Sequence, residues 1–213
     1  MRYQYTCTLS ELRSTPLELL QRQLRASAPA EQTQEQHAAW DDTVAMLQKA
    51  LVSTAYDGQL YFEFAIPRLG ARIDVVLIIR HVVFVLEWKT GSGDTSASAL
   101  DQVTDYALDL RYFHRTSHGA AIAPFLVTNH NGRMPAIVRD RHDALMTSVA
   151  VVSPNHLAQA IDATLTVLSG SLLHADAWIH GAYEPTPTIV EAARALYRGH
   201  SVTEITRTTA GAG

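Results

Sequence analysis

Apolar residues along this chain follow two rhythms, one helical and one extended. Leu17, Leu20 and Leu24 recur at helical spacing behind Ser14-Thr15-Pro16, an N-cap with a proline in the first turn, which predicts a short helix to about Ala26. Ala28-Pro29-Ala30 breaks it. Trp40, Val44, Leu47 and Leu51 then predict a longer helix over about 34–52 with one face for a core. Tyr56-Asp57-Gly58 turns the chain out of it, and the rhythm changes. Residues 59–66 alternate moderately up to Pro67, as a strand does. The next two stretches, 71–79 and 82–89, are apolar on both faces and joined only by Arg80-His81, which predicts an antiparallel hairpin. Strands apolar on both faces belong mid-sheet under helices on either side.

After the polar connection Thr90-Gly91-Ser92-Gly93-Asp94, Leu100, Val103, Ala107 and Leu110 predict a helix over about 98–114. Strands are expected at 122–127 and 148–152, separated by a polar, turn-rich surface excursion over 129–143. Leu157, Ile161, Leu165 and Leu168 mark a helix over 153–168, and Thr186-Pro187 opens a final one ending at Arg198-Gly199. The order of elements implies an α/β fold with a mixed central β-sheet flanked by helices and extra N- and C-terminal helices. We divide the chain into an N-terminal helical extension (1–30), a core (31–170) and a C-terminal helical segment or linker (171–213). No internal repeat is present.

With 213 residues, 47% of them apolar and 18% charged, the chain can bury a sizeable core. The net charge of −4 counts against strong autonomous nucleic-acid affinity, though not against a site in which metal ions supply the positive charge. The single cysteine, Cys7, excludes an internal disulfide and any paired-cysteine zinc site. It lies outside any core pattern. The first residues lead into no apolar run, and no stretch is long enough to span a membrane, so a cytoplasmic address is expected.

Three charged residues stand in the most apolar part of the chain: Asp74 inside one hairpin strand, Glu87 and Lys89 at the end of the other. Buried charge is costly unless paired or bound to a metal. Glu87 and Lys89, two apart on a strand, share a face, and the hairpin can bring Asp74 to the same sheet end. Two carboxylates on a rigid sheet suit Mg²⁺ or Mn²⁺, with the lysine orienting water or countering phosphate charge. The plain alternative is an ion pair at a strand end. Gln102 and Tyr106, four apart, share a face of the following helix.

Asp74, then Glu87-Trp88-Lys89, then Gln102-x-x-x-Tyr106 resembles the PD-(D/E)XK, restriction-endonuclease-like superfamily, in its RecB-like branch. The surrounding segments 66–74 and 101–110 resemble the N-terminal nuclease-like domain of bacterial Schlafen-group-3-like DNA/RNA helicases, most firmly over residues 60–130. The resemblance implies an αβββαβ core in a metal-dependent nuclease. Asp74 and Glu87 would be ligands of Mg²⁺ or Mn²⁺, Lys89 the catalytic lysine, and Gln102 and Tyr106 the accessory pair. It also implies an acidic residue from the first core helix: Glu35 is the candidate, with Asp41, Asp42 and, on the first strand, Glu63 as rivals. Arg68 and Arg72, beside Asp74, are candidate phosphate contacts, with solubility as the alternative. The implied partners are DNA ahead of RNA and a helicase domain of the same longer chain, and the implied role is phage defence or DNA repair. Ile73 stands where the superfamily's usual proline would, and no GxxxxGK[ST] phosphate loop occurs, so a helicase motor would lie outside these residues. The competing expectation is a non-catalytic module of the same fold that binds nucleic acid or a partner.

Other chemistry finds less purchase. His114-x-x-x-His118 has helical spacing but no HExxH around it, which disfavours zinc, and His114 with Arg115 is a weaker candidate for phosphate contact. No GxSxG elbow is present. Trp40 reads as core.

Overall fold

The computed structural model describes residues 2–27, 33–89, 95–129, 133–187 and 189–190. Its strands are β1 (Tyr5–Thr8), β2 (Gln59–Ile66), β3 (Ala71–Ile79), β4 (Val82–Lys89), β5 (Ala121–Thr128) and β6 (Ala150–Val152). They form one open six-stranded sheet in sequence order, antiparallel from β1 to β4 and parallel from β4 to β6. The hairpin forms as the two-residue link requires, Ile79 pairing with Val82 and Arg80 taking a left-handed φ of 56° in the turn. β3 and β4 occupy the middle of the sheet, where both their faces are covered. Pro124 sits inside β5 without breaking it. It lies between the bridge from Ile122 to Met146 and the start of β6 pairing at Phe125, where the ladder is interrupted.

The helices are α1 (Leu9–Ser14), α2 (Leu17–Ala26), α3 (Gln34–Leu51), α4 (Ala97–Phe113), α5 (Leu157–Val167) and the short α6 (Ala175–Ile179). Thr8 and Glu11 close a capping box on α1, and Thr33 and Gln36 close one on α3, while Ser96 caps the start of α4. One face of the sheet packs against α1, α2, α3 and α5 through Leu20, Leu24, Val44, Leu47, Leu51 and Ile161. The opposite face packs against α4 and α6 through Val103, Ala107, Leu110 and Trp178. α2, α3, α4 and α5 thus bury the stripes their spacing marks out.

The pattern reveals neither β1, α1 nor α6, and Ser14 ends α1 instead of capping α2, whose N-cap is Pro16. The expected N-terminal helical extension over 1–30 also contributes an edge strand, which buries Cys7 and pushes its thiol up to about 12. The body of the helix expected over 186–198 lies outside the described residues.

A break in strand alternation positions the site. Residues two apart on a strand should share a face. Yet Phe62 belongs to the α3-side core and Phe64 to the α4-side core, and across the ladder Val75 and Ile73 divide the same way. Phe62 pairs with Val75 and Phe64 with Ile73, so the break falls on Glu63 and Asp74. Glu63 takes a left-handed φ of 53° there. For a non-glycine residue that backbone costs on the order of 1–3 kcal/mol and persists only where its surroundings hold it.

Candidate active site

At this break β3 and β4 part company. Their pairing stops at Val75 and Leu86, one residue short of Asp74 and Glu87. The carboxylate of Asp74 takes over from the ladder, Oδ2 accepting the Trp88 backbone N–H at 2.7 Å. Beyond it β4 carries Glu87 and Lys89 on toward α4. The Lys89 ammonium donates to Glu87 Oε1 at 3.1 Å and to Gln102 Oε1 at 3.0 Å, and the Gln102 amide donates to the Tyr106 hydroxyl at 2.7 Å. Gln102 and Tyr106, one turn apart on α4, thereby reach a lysine thirteen or more residues away in sequence.

Glu87 is 4% exposed, and its second oxygen, Oε2, is buried without a hydrogen bond among the described residues. Burial pushes its carboxyl well above the usual range, the nearby negative charge of Asp74 adds to this, and Lys89 opposes it. Asp74 is raised as well, by burial first, against the pull of the Trp88 N–H and Lys89. Two crowded carboxyls of this kind retain a proton that a divalent cation would displace.

Among the described residues, no three His, Cys, Asp or Glu side chains surround a point that could hold a metal ion. The donor set still fits a Mg²⁺ or Mn²⁺ ion that keeps several waters: hard oxygens on two neighbouring strands, one of them buried and unsatisfied.

On the α3 side the site opens into a cavity of about 350 Å³ lined by Asp74, Glu63, Trp40, Trp88, Arg72 and Gln36 among others. Trp40 donates its indole N–H to Glu63 Oε1 at 2.8 Å, and Arg72 donates to the Glu63 backbone carbonyl at 2.9 Å. Burial and the charge of Asp74 push Glu63 up to about 7. Of the candidate third acids, only Glu63 lines this cavity with Asp74. Glu35 is exposed in the first turn of α3, Asp42 is exposed, and Asp41 is bound by Arg25. Regular alternation along β2 would set Glu63 on the face opposite to Phe62 and Phe64. The left-handed backbone that reverses this has no signature in the residue itself.

The two arginines separate. Arg68 donates to the buried Asp109 at 2.7 Å and stacks over the Phe113 ring, with its side chain half-exposed. Arg72 is exposed at the cavity rim. His114 is fully buried, with Nδ1 against Ser117 Oγ at 2.8 Å and Nε2 against Arg2 at 3.1 Å. Burial and Arg2 hold it neutral, at about 3. Both ring nitrogens are engaged, so His114 neither binds zinc nor reaches a phosphate. Arg115 pairs with Glu184 at 3.2 Å.

No family model matches the chain, and neither the curated proteins nor the solved structures contain a match to it. No helix among the described residues is long and apolar enough to cross a membrane.

Proposed function

We propose that this chain is a metal-dependent nuclease domain that hydrolyses phosphodiester bonds, with DNA as its leading substrate. The observation that carries the reading is the hydrogen-bonded chain Glu87–Lys89–Gln102–Tyr106 running up to the strand break that holds Asp74. A simple strand-end ion pair would need neither the glutamine nor the tyrosine, and it would not leave a buried carboxylate oxygen unsatisfied.

In this reading Asp74 and Glu87 would hold Mg²⁺ or Mn²⁺, which when bound polarises a phosphoryl oxygen and lowers the pKa of water. The chain's own residues do the rest. Asp74 is fixed in direction by the Trp88 N–H. Lys89, steered by Gln102, presents a positive charge of set orientation to the anionic phosphate. Tyr106 holds the Gln102 amide so that its oxygen stays on the lysine.

A second reading, a nucleic-acid- or partner-binding module with an idle site, is favoured by one observation: Glu87 is almost wholly buried and already paired with Lys89. Incubation of the chain with plasmid and single-stranded DNA in Mn²⁺ separates the two. Cleavage that disappears in both Glu87→Gln and Lys89→Met supports the enzyme. Binding without cleavage by the wild type supports the module.

A further inference from the structure

The cavity on the α3 side of Asp74 is not needed to hold a divalent ion, yet it is built as a ligand site. Its volume of about 350 Å³ lies at the small end of ligand pockets, room for a nucleoside-sized group but not for a duplex. Two indoles, Trp40 and Trp88, line it. Trp88 is 6% exposed, and its indole N–H is buried with no acceptor among the described residues. A buried donor of this kind is seldom left without a partner, which points to an acceptor arriving from outside the chain. The other groups on the lining complement that donor. Gln36, whose Oε1 closes the α3 capping box, can give from its amide N–H, Glu63 is tethered by Trp40 and Arg72 in its left-handed backbone, and Arg72 stands exposed at the rim with its positive charge.

We infer that this cavity takes one unstacked nucleobase of a single strand, bedded against Trp40 and accepting the Trp88 N–H at its edge, with the adjoining phosphate toward Arg72. The inference rests on the nuclease reading for its choice of ligand and deepens it: the substrate is single-stranded or locally opened, since a base inside a duplex cannot enter. A flat heterocycle suits indole walls and carries both donors and acceptors on its edge. An aliphatic ligand would leave the Trp88 N–H unsatisfied.

The chain has three tryptophans, so its ¹⁵N-labelled indole signals report the cavity directly. In EDTA, 2′-deoxyadenosine 5′-monophosphate should move the Trp40 and Trp88 signals along a saturable curve. Trp178, packed against His114 on the opposite face of the sheet, should stay still. Trp88→Phe assigns its signal and, by removing the indole N–H donor, should weaken binding about tenfold. Glu63→Gln serves as a second variant that preserves shape, and an unmoved Trp178 signal confirms folding in both. A single-stranded oligonucleotide should move the same two signals, and the same strand stripped of its bases should not. Movement by the mononucleotide alone, with the oligonucleotide silent, would assign the cavity to free nucleotides and overturn the strand reading. Silence toward both would overturn the inference outright. Cleavage in Mn²⁺ is scored separately: lost cleavage with moving indoles removes only the catalytic proposal, and intact cleavage with silent indoles removes only the base pocket.

Discussion

At the scale of single residues, the site combines groups whose charges are held at a cost to the fold. Glu87 sits where burial favours its protonated form, so Glu87→Gln should change stability by less than about 1 kcal/mol, because a neutral amide of the same shape meets the same surroundings. Lys89→Met should cost more, about 1–3 kcal/mol, since it takes away the donor that Glu87 Oε1 and Gln102 Oε1 share. Urea unfolding of the two variants checks the order, and equal losses would contradict it. Glu63 gives a pH signature. Its carboxyl is raised to about 7 in the folded chain, so between about 4.5 and 7 the folded state binds the extra proton. Stability from this group is therefore present below pH 4.5 and is lost as pH rises to 7 and beyond. Wild type should lose stability relative to Glu63→Gln between pH 5 and pH 8, and a pH-independent difference would contradict the burial of this carboxyl. The residues on β4 and α4 were legible in the sequence because their spacings, Glu-x-Lys and Gln-x-x-x-Tyr, survive folding unchanged on a regular strand and helix. Glu63 was not, because its placement depends on a backbone twist that Phe62 and Phe64 disguise.

At the scale of elements, the sheet came through where hydrophobic runs were long and failed where they were short. β3 and β4 are apolar on both faces and lie mid-sheet as that pattern demands. β1 is four residues with one buried side chain, and α6 is five residues, too brief for either rhythm to declare itself. The entry to β2 offers a sharp test of the packing. A Cβ on Gly58 would stand 2.6 Å from the Ile78 carbonyl oxygen of β3, backbone that cannot step aside, whereas one on Gly119 meets nothing within 4 Å. Gly58→Ala should destabilise by about 1–3 kcal/mol, and Gly119→Ala should be close to neutral. Thermal unfolding distinguishes them, and matching midpoints would mean the β2–β3 register is wrong.

At the scale of the whole molecule, the sheet is tied shut at one edge. Arg2 donates to the carbonyls of Ile179 and Gly181, and the Arg2 carbonyl receives the Ala65 N–H, so the first residues and the segment after α6 are held to β2 and to each other. On the α3 side, the mouth of the strand break is an open approach to Asp74. With a net charge of −4 and Arg68 paired with Asp109, few cations stand near the site among the described residues, so substrate affinity should depend weakly on salt. A steep loss of binding between 50 and 200 mM salt, of the size about six or more phosphate contacts would give, would point to a basic surface elsewhere.

The proposed site needs Asp74 and Glu87 to share a divalent ion, and calorimetric titration with Mn²⁺ at pH 7, repeated in two buffers of different ionisation enthalpy, tests this most directly. The carboxyls hold a proton that the ion must expel, so the wild-type chain should bind Mn²⁺ with proton release, and both Asp74→Asn and Glu87→Gln should abolish the heat. A wild-type chain that takes up no Mn²⁺, or variants that bind it as well as the wild type, would contradict it.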